Sequence, residues 1–203
     1  MKRIRCPYFE LNDQERAYHD KEWGTSCRND RKLFEYLMYE VLQCGLSWNT
    51  VLLKREVFRA AFERFDFAKI ARYGEDDIAR VLAVPGMIRS RRKVEAIIHD
   101  AKCFIELRRE CGTFSKWLWA FTDGKTLHNP DNAKSDVWTA PTRTELSDRI
   151  AAELKVRGFK LANARKMMHA NRSGADKSAK IIEDLIEVRD QLMELKSALE
   201  TIR

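Results

Sequence analysis

The sequence is poor in residues that interrupt helices or turn strands, with 8 glycines and 4 prolines in 203 residues. A fold of many short strands needs more punctuation than that, so helices are the expectation. No stretch approaches the roughly 18 apolar residues of a membrane span. Residues 1–6 are basic and carry no apolar run, so no signal peptide is expected. The 5 cysteines are odd in number and lack a tight pairing pattern, which argues against a disulfide framework and for a reducing, cytoplasmic compartment. Internal repeats and low-complexity segments are also missing.

What is present suits a globular chain: 44% hydrophobic and 34% charged residues, enough to bury a core in one domain with an appendage. The formal charge is +7 and uneven, because residues 177–203 carry five basic and six acidic side chains and leave +8 to the rest. A basic body suggests a polyanionic partner, nucleic acid first, although many basic proteins have no such role.

Helical periodicity is clearest from Asp30 to Cys44, where Leu33, Phe34, Leu37, Met38, Val41 and Leu42 recur on one face. Gly45 offers a stop, and Ser47 an N-cap for a helix from Trp48 to about Phe65. Further helices are expected over Phe67–Tyr73, Asp76–Leu82, Ser90–Arg109, Thr113–Phe121 and Thr144–Val156, with 123–142 irregular. The architecture read from this is all-α. The tail differs: Ile181, Leu185, Val188, Leu192, Leu195, Leu199 and Ile202 alternate steps of four and three. We divide the chain into a body, 1–170, and an amphipathic helix, 171–203, which either packs on its own body or pairs two copies in a homodimer.

Four constellations can carry chemistry. Glu40 falls at the edge of an apolar arc, where a carboxylate either snorkels to solvent or lines a cleft. Tyr8, Tyr18, Trp23, Tyr36, Tyr39 and Trp48 cluster beside polar residues; such rings are core or recognise a planar, cationic base. Residues Pro85-Gly86-Met87-Ile88-Arg89-Ser90-Arg91-Arg92-Lys93 form a basic turn between two helices. It is an ordinary basic helix start or a phosphate site built on backbone amides. Cys6 and His19 are good zinc ligands, but a structural site wants four.

The ordered blocks Arg5-Cys6-Pro7-Tyr8, Ala17-Tyr18-His19-Asp20-Lys21-Glu22-Trp23-Gly24, Leu33-Phe34-Glu35, Glu40, Gln43-Cys44-Gly45-Leu46-Ser47-Trp48, Lys54-Arg55-Glu56, Gly86-Met87-Ile88-Arg89 and Arg157-Gly158-Phe159-Lys160 resemble one family. It is DNA-3-methyladenine glycosylase I, in the helix–hairpin–helix glycosylase superfamily, and the likeness runs from residue 5 to about 160. The resemblance implies a helix–hairpin–helix fold and excision of 3-methyladenine from alkylated double-stranded DNA by base flipping and hydrolysis. It implies Glu40 as the catalytic carboxylate of the pocket, with Tyr8, Tyr18, Trp23 and Trp48 around the base, Tyr8 standing where the family usually has Trp. It implies DNA contacts from Gly86, Arg89, Ser90, Arg91, Arg92 and Lys93.

The family also closes a zinc site with a His and a Cys beyond the Gly158-Phe159-Lys160 segment. Here no cysteine follows Cys111, and His169 and Cys27 stand elsewhere, so the balance is against zinc at Cys6 and His19. If the metal is gone, the tail helix is expected to clamp the N-terminal arm in its place. Two other readings compete: a glycosylase-like body that binds damaged DNA without cutting it, and a scaffold that pairs through its tail.

Overall fold

A computed structural model describes residues 12–127 and 144–160, all within one compact unit, Met1–Ala164. Tyr8, Cys6, His169 and the heptad segment lie outside the described residues, and so do their expected roles in base binding, zinc binding and dimerisation. Among the described residues every regular element is a helix.

In chain order the helices are α1 (Asp13–Lys21), α2 (Asp30–Gln43), α3 (Trp48–Leu53), α4 (Arg55–Ala61), α5 (Phe67–Ile70), α6 (Glu75–Ala83), α7 (Arg91–Cys111), α8 (Phe114–Ala120) and α9 (Glu145–Val156). The starts follow local capping chemistry. Asn29 accepts from the Lys32 amide at α2, Ser47 from Thr50 at α3 and Thr113 from Lys116 at α8. Helix α2 buries Phe34, Met38, Val41 and Leu42, the face its periodicity marks. It packs on α7, and between them Phe104 touches Phe34 at 5.0 Å and stacks on Phe114 at 4.5 Å. Asp30, at the start of α2, accepts the Phe114 and Ser115 amides and so also caps α8.

Two elements differ from expectation. The single helix read over 48–65 is broken twice. Lys54 leaves helical geometry at φ −100°, ψ 6°, separating α3 from α4. Then Glu63, Arg64 and Phe65 all take positive φ, at 48°, 55° and 56°. Left-handed backbone costs roughly 1–2 kcal/mol per L-residue. Burying one phenyl ring contributes about 1.5–3 kcal/mol, and here Phe62 and Phe65 are both fully buried, with Phe65 edge-on to Tyr39 at 5.4 Å. The Lys69 ammonium also pairs with Glu63 at 2.6 Å. The turn swings α5 onto α7, a tertiary gain that no local signal announces.

The second difference is α1, which the sequence pattern does not suggest. Its only buried residue is Glu15, so there is no apolar stripe to read. Asn12 caps it by accepting the Glu15 amide, and the Asn12 side chain also donates to Asn49 on α3 at 2.7 Å. Among the described residues, no helix is long and apolar enough to cross a membrane.

Candidate active site

The C-terminal end of α1, the outer face of α2, the start of α3 and the end of α8 line an open cavity of about 410 Å³. Tyr18, Trp23, Glu40 and Trp48, singled out separately along the chain, all line it. Tyr18 and Trp48 face each other with ring centroids 5.4 Å apart and planes inclined at 58°. Trp48 is the first residue of α3, directly after the Ser47 cap, so its indole projects past the helix end. Trp23 stands at the rim, 54% exposed, and stacks on His19 at 5.6 Å. One turn before Glu40, Tyr36 shares its face of α2, and both line the cavity.

Glu40 is solvent-exposed as a residue, and it lines the cavity beside the aromatic side chains. This is the exposure of a cleft rather than of an open surface, and burial accordingly pushes its pKa up. For Tyr18, burial and then the Glu40 and Glu22 charges push the phenol up, so it stays a neutral donor. An acid that ionises only reluctantly, facing aromatic rings, is an electrostatic match for a planar cation. The cation restores the charge that desolvation penalises.

The walls rest on polar contacts to which the sequence reading assigned no role. Glu22 accepts both guanidinium nitrogens of Arg55, at 2.7 and 2.8 Å, and the Tyr36 hydroxyl at 2.9 Å. Burial alone would raise the Glu22 pKa, but hydrogen bonds from Arg55 and Tyr36 and the charges of Arg55 and Lys32 outweigh it and hold it at about 2. Opposite, the Arg28 guanidinium sits 4.1 Å over the Trp119 ring and donates to the Gly124 carbonyl at 2.6 Å. The Trp119 indole donates to the Cys27 carbonyl at 2.9 Å. The blocks holding Glu22 and Arg55 were visible in sequence, but nothing in their spacing says that they meet.

The basic turn joins α6 to α7. Met87 donates back to the Val84 carbonyl at 3.0 Å, and Gly86 takes φ +81°, where a side chain would be strained. Arg89 and Arg92 are exposed, while Ser90 precedes α7. The Gly86, Ile88 and Arg89 amides meet no backbone acceptor among the described residues. Arg91, expected beside them, pairs instead with Glu75 at 2.6 Å and Glu95 at 2.7 Å. Lys93 turns inward, donating to the Leu42 and Cys44 carbonyls at 2.5 and 2.7 Å, because the end of α2 leaves carbonyls without helical partners. Burial pushes its ammonium pKa down, an effect only partly offset by Cys44.

For zinc, His19 is the one expected ligand within the described residues, and its ring contacts Asp20 at 3.1 Å. Cys27 lines the cavity and donates weakly to the Asn29 carbonyl. No group of three His, Cys, Asp or Glu residues among those described is placed to hold a metal ion. The described residues do not by themselves make a zinc site.

Comparison with known proteins agrees with this geometry. The chain is 42% identical to the DNA-3-methyladenine glycosylase of Haemophilus influenzae over 156 residues, 76% of this chain and 82% of that one. It is 38% identical to DNA-3-methyladenine glycosylase 1 of Escherichia coli, over 77% of this chain and 82% of that one. A crystal structure of a 3-methyladenine DNA glycosylase I superposes with a TM-score of 0.71 at 40% identity, covering 78% of this chain and 85% of the other. A Staphylococcus aureus 3-methyladenine DNA glycosylase I, described for its recognition of 3-methyladenine, gives 0.67 at 30% identity, covering 77% and 81%. The methyladenine glycosylase family model matches residues 8–171, and the chain belongs to that family.

Proposed function

We infer that this protein is a DNA-3-methyladenine glycosylase, which hydrolyses the N-glycosidic bond of 3-methyladenine in alkylated duplex DNA. The observation that carries the reading is a cavity that Glu40, Tyr18 and Trp48 line together, in a chain of this family. Methylation at N3 gives adenine a positive charge, so the base leaves neutral and needs little acid assistance. What accelerates the reaction is a negative charge held near the sugar as its oxocarbenium character grows. Glu40 supplies that charge and accepts hydrogen bonds from the base. The rings of Tyr18 and Trp48 hold the flipped base, with Trp23 at the rim and Tyr8 as a further ring. Water adds to the anomeric carbon, the glycosidic electron pair goes to the base, and the water proton goes to solvent.

The α6–α7 turn is the part that grips the backbone. Its amides at Gly86, Ile88 and Arg89, which meet no backbone acceptor among the described residues, suit a phosphate oxygen at a helix N-terminus, with Ser90 beside them and Arg89 and Arg92 adding charge. This turn takes the part of the hairpin in a helix–hairpin–helix glycosylase. The described cysteines are free thiols, which suits action in a reducing compartment, the cytoplasm.

The test is release of free 3-methyladenine from methylated duplex DNA, followed by chromatography of the soluble base. Release supports the enzyme. Tight binding to abasic DNA with no release supports the non-cutting alternative.

A further inference from the structure

Two lysines tie the DNA-facing turn to the residues that form the pocket. Lys93, in the first turn of α7, donates to the Leu42 and Cys44 carbonyls at 2.5 and 2.7 Å. Those carbonyls lie between Glu40, in the last turn of α2, and Trp48, at the head of α3. From the other side Lys54, which ends α3, donates to the Gly86 carbonyl at 2.6 Å. The segment carrying Trp48 is therefore pinned at both ends to one turn, once by a lysine from the turn's helix and once by a lysine to the turn's own backbone.

The geometry points to a latch: Lys93 and Lys54 are positioning residues that couple phosphate engagement at the α6–α7 turn to the placement of Glu40 and Trp48, rather than phosphate ligands themselves. This rests on the glycosylase reading. A lysine serving phosphate would point its ammonium outward beside Arg89 and Arg92. Lys93 instead lies at the negative end of the α2 dipole, where a cation is favoured and where two carbonyl oxygens replace its lost water. The Lys54 bond falls at the break between α3 and α4, so the interruption of that helix supplies an anchoring point. A shift of about 1 Å in catalytic placement can cost roughly a hundred-fold in rate, so holding this short segment is a sufficient role for both side chains.

The experiment compares wild type with Lys93→Met, Lys93→Arg and Lys54→Met. Two quantities are read: the single-turnover rate of 3-methyladenine release at saturating enzyme, and the affinity for abasic duplex as a function of salt. The latch predicts that Lys93→Met lowers the rate roughly ten- to hundred-fold. Affinity and its salt slope should stay as in wild type, and Lys93→Arg should recover part of the rate. Lys54→Met should lower the rate less, again with an unchanged slope. A phosphate ligand would behave oppositely, losing about 0.9 from the slope with the saturated rate intact, and that result overturns the proposal. An unchanged rate in Lys93→Met also overturns it, since a simple helix cap would leave the rate intact. Should Lys93→Met fail to fold, Lys54→Met decides alone, and an unchanged rate there refutes the latch. Wild type without any release contradicts the glycosylase reading instead, while the salt slopes still report whether Lys93 meets phosphate.

Discussion

Arg55 reaches across 33 residues of sequence to hold both carboxylate oxygens of Glu22, at 2.7 and 2.8 Å. This fork joins the end of α1 to the start of α4, and the Tyr36 hydroxyl adds α2 to the same carboxylate at 2.9 Å. It holds the inner wall of the cavity, since Tyr18 is four residues before Glu22. Tyr39 on α2 extends the contact, with the Arg55 guanidinium 5.4 Å over its ring.

The Glu22 pKa of about 2 against an ordinary 4.5 sets a pH dependence. Because the folded value is depressed, the stabilisation is full above about pH 4.5 and fades as pH falls towards 2. Screening by water at this half-buried site reduces what the full shift would give, to about 1–2 kcal/mol. Urea unfolding at stepped pH is expected to show wild type losing stability across that window, while Glu22→Gln, already weakened at neutral pH, changes less. Equal pH profiles would remove the fork from the account.

Asp100 carries the opposite sign. It is fully buried on α7, accepts the Lys160 amide at 2.8 Å through one oxygen, and leaves the other without a partner among the described residues. Burial raises its pKa to about 7, against a smaller lowering by the Lys160 amide and charge. A raised acid favours folding below its unfolded value, near 3.8, and stability then declines as pH climbs through 7. Asp100→Asn keeps an acceptor for the amide and should gain about 1–3 kcal/mol at pH 8, less the cost of its own buried NH2. The gain should vanish below about pH 4. Thermal melts at the two pH values decide this.

Trp48→Ala should remove one face of the pocket at some cost in stability, because the ring lines the cavity and also packs against the edge of the core. Base–aromatic stacking is worth about 1–3 kcal/mol, so affinity for free 3-methyladenine should fall roughly ten- to hundred-fold, with little change on duplex DNA lacking the lesion. Titration of the base, followed by fluorescence or calorimetry, measures it.

Much of this was legible in the chain. Phe34, Met38, Val41 and Leu42 announce the buried face of α2, and Ser47 and Trp48 announce the head of α3, because both signals are local. The break at Lys54 and the left-handed turn at Glu63–Phe65 were not legible: no glycine or proline marks them, and tertiary burial of Phe62 and Phe65 sustains the strain. Helix α1 escaped notice because its packed face is polar. The resemblance named Glu40, Tyr18, Trp23 and Trp48, and the cavity gathers all four. Lys93 shows the limit of reading charge alone, since a lysine in a basic run can turn its ammonium inward onto orphan carbonyls.

Glu40 links function to a stability cost. Burial of its carboxyl raises its pKa, so holding it ionised in the cleft works against the fold. The most direct measurement is single-turnover release of 3-methyladenine from alkylated duplex DNA by wild type and Glu40→Gln. Wild type should release the free base, and the variant should be slower by about a hundred-fold or more while still binding DNA. Equal rates in the two proteins, or no release by wild type, would contradict a cation-accepting carboxylate at this position.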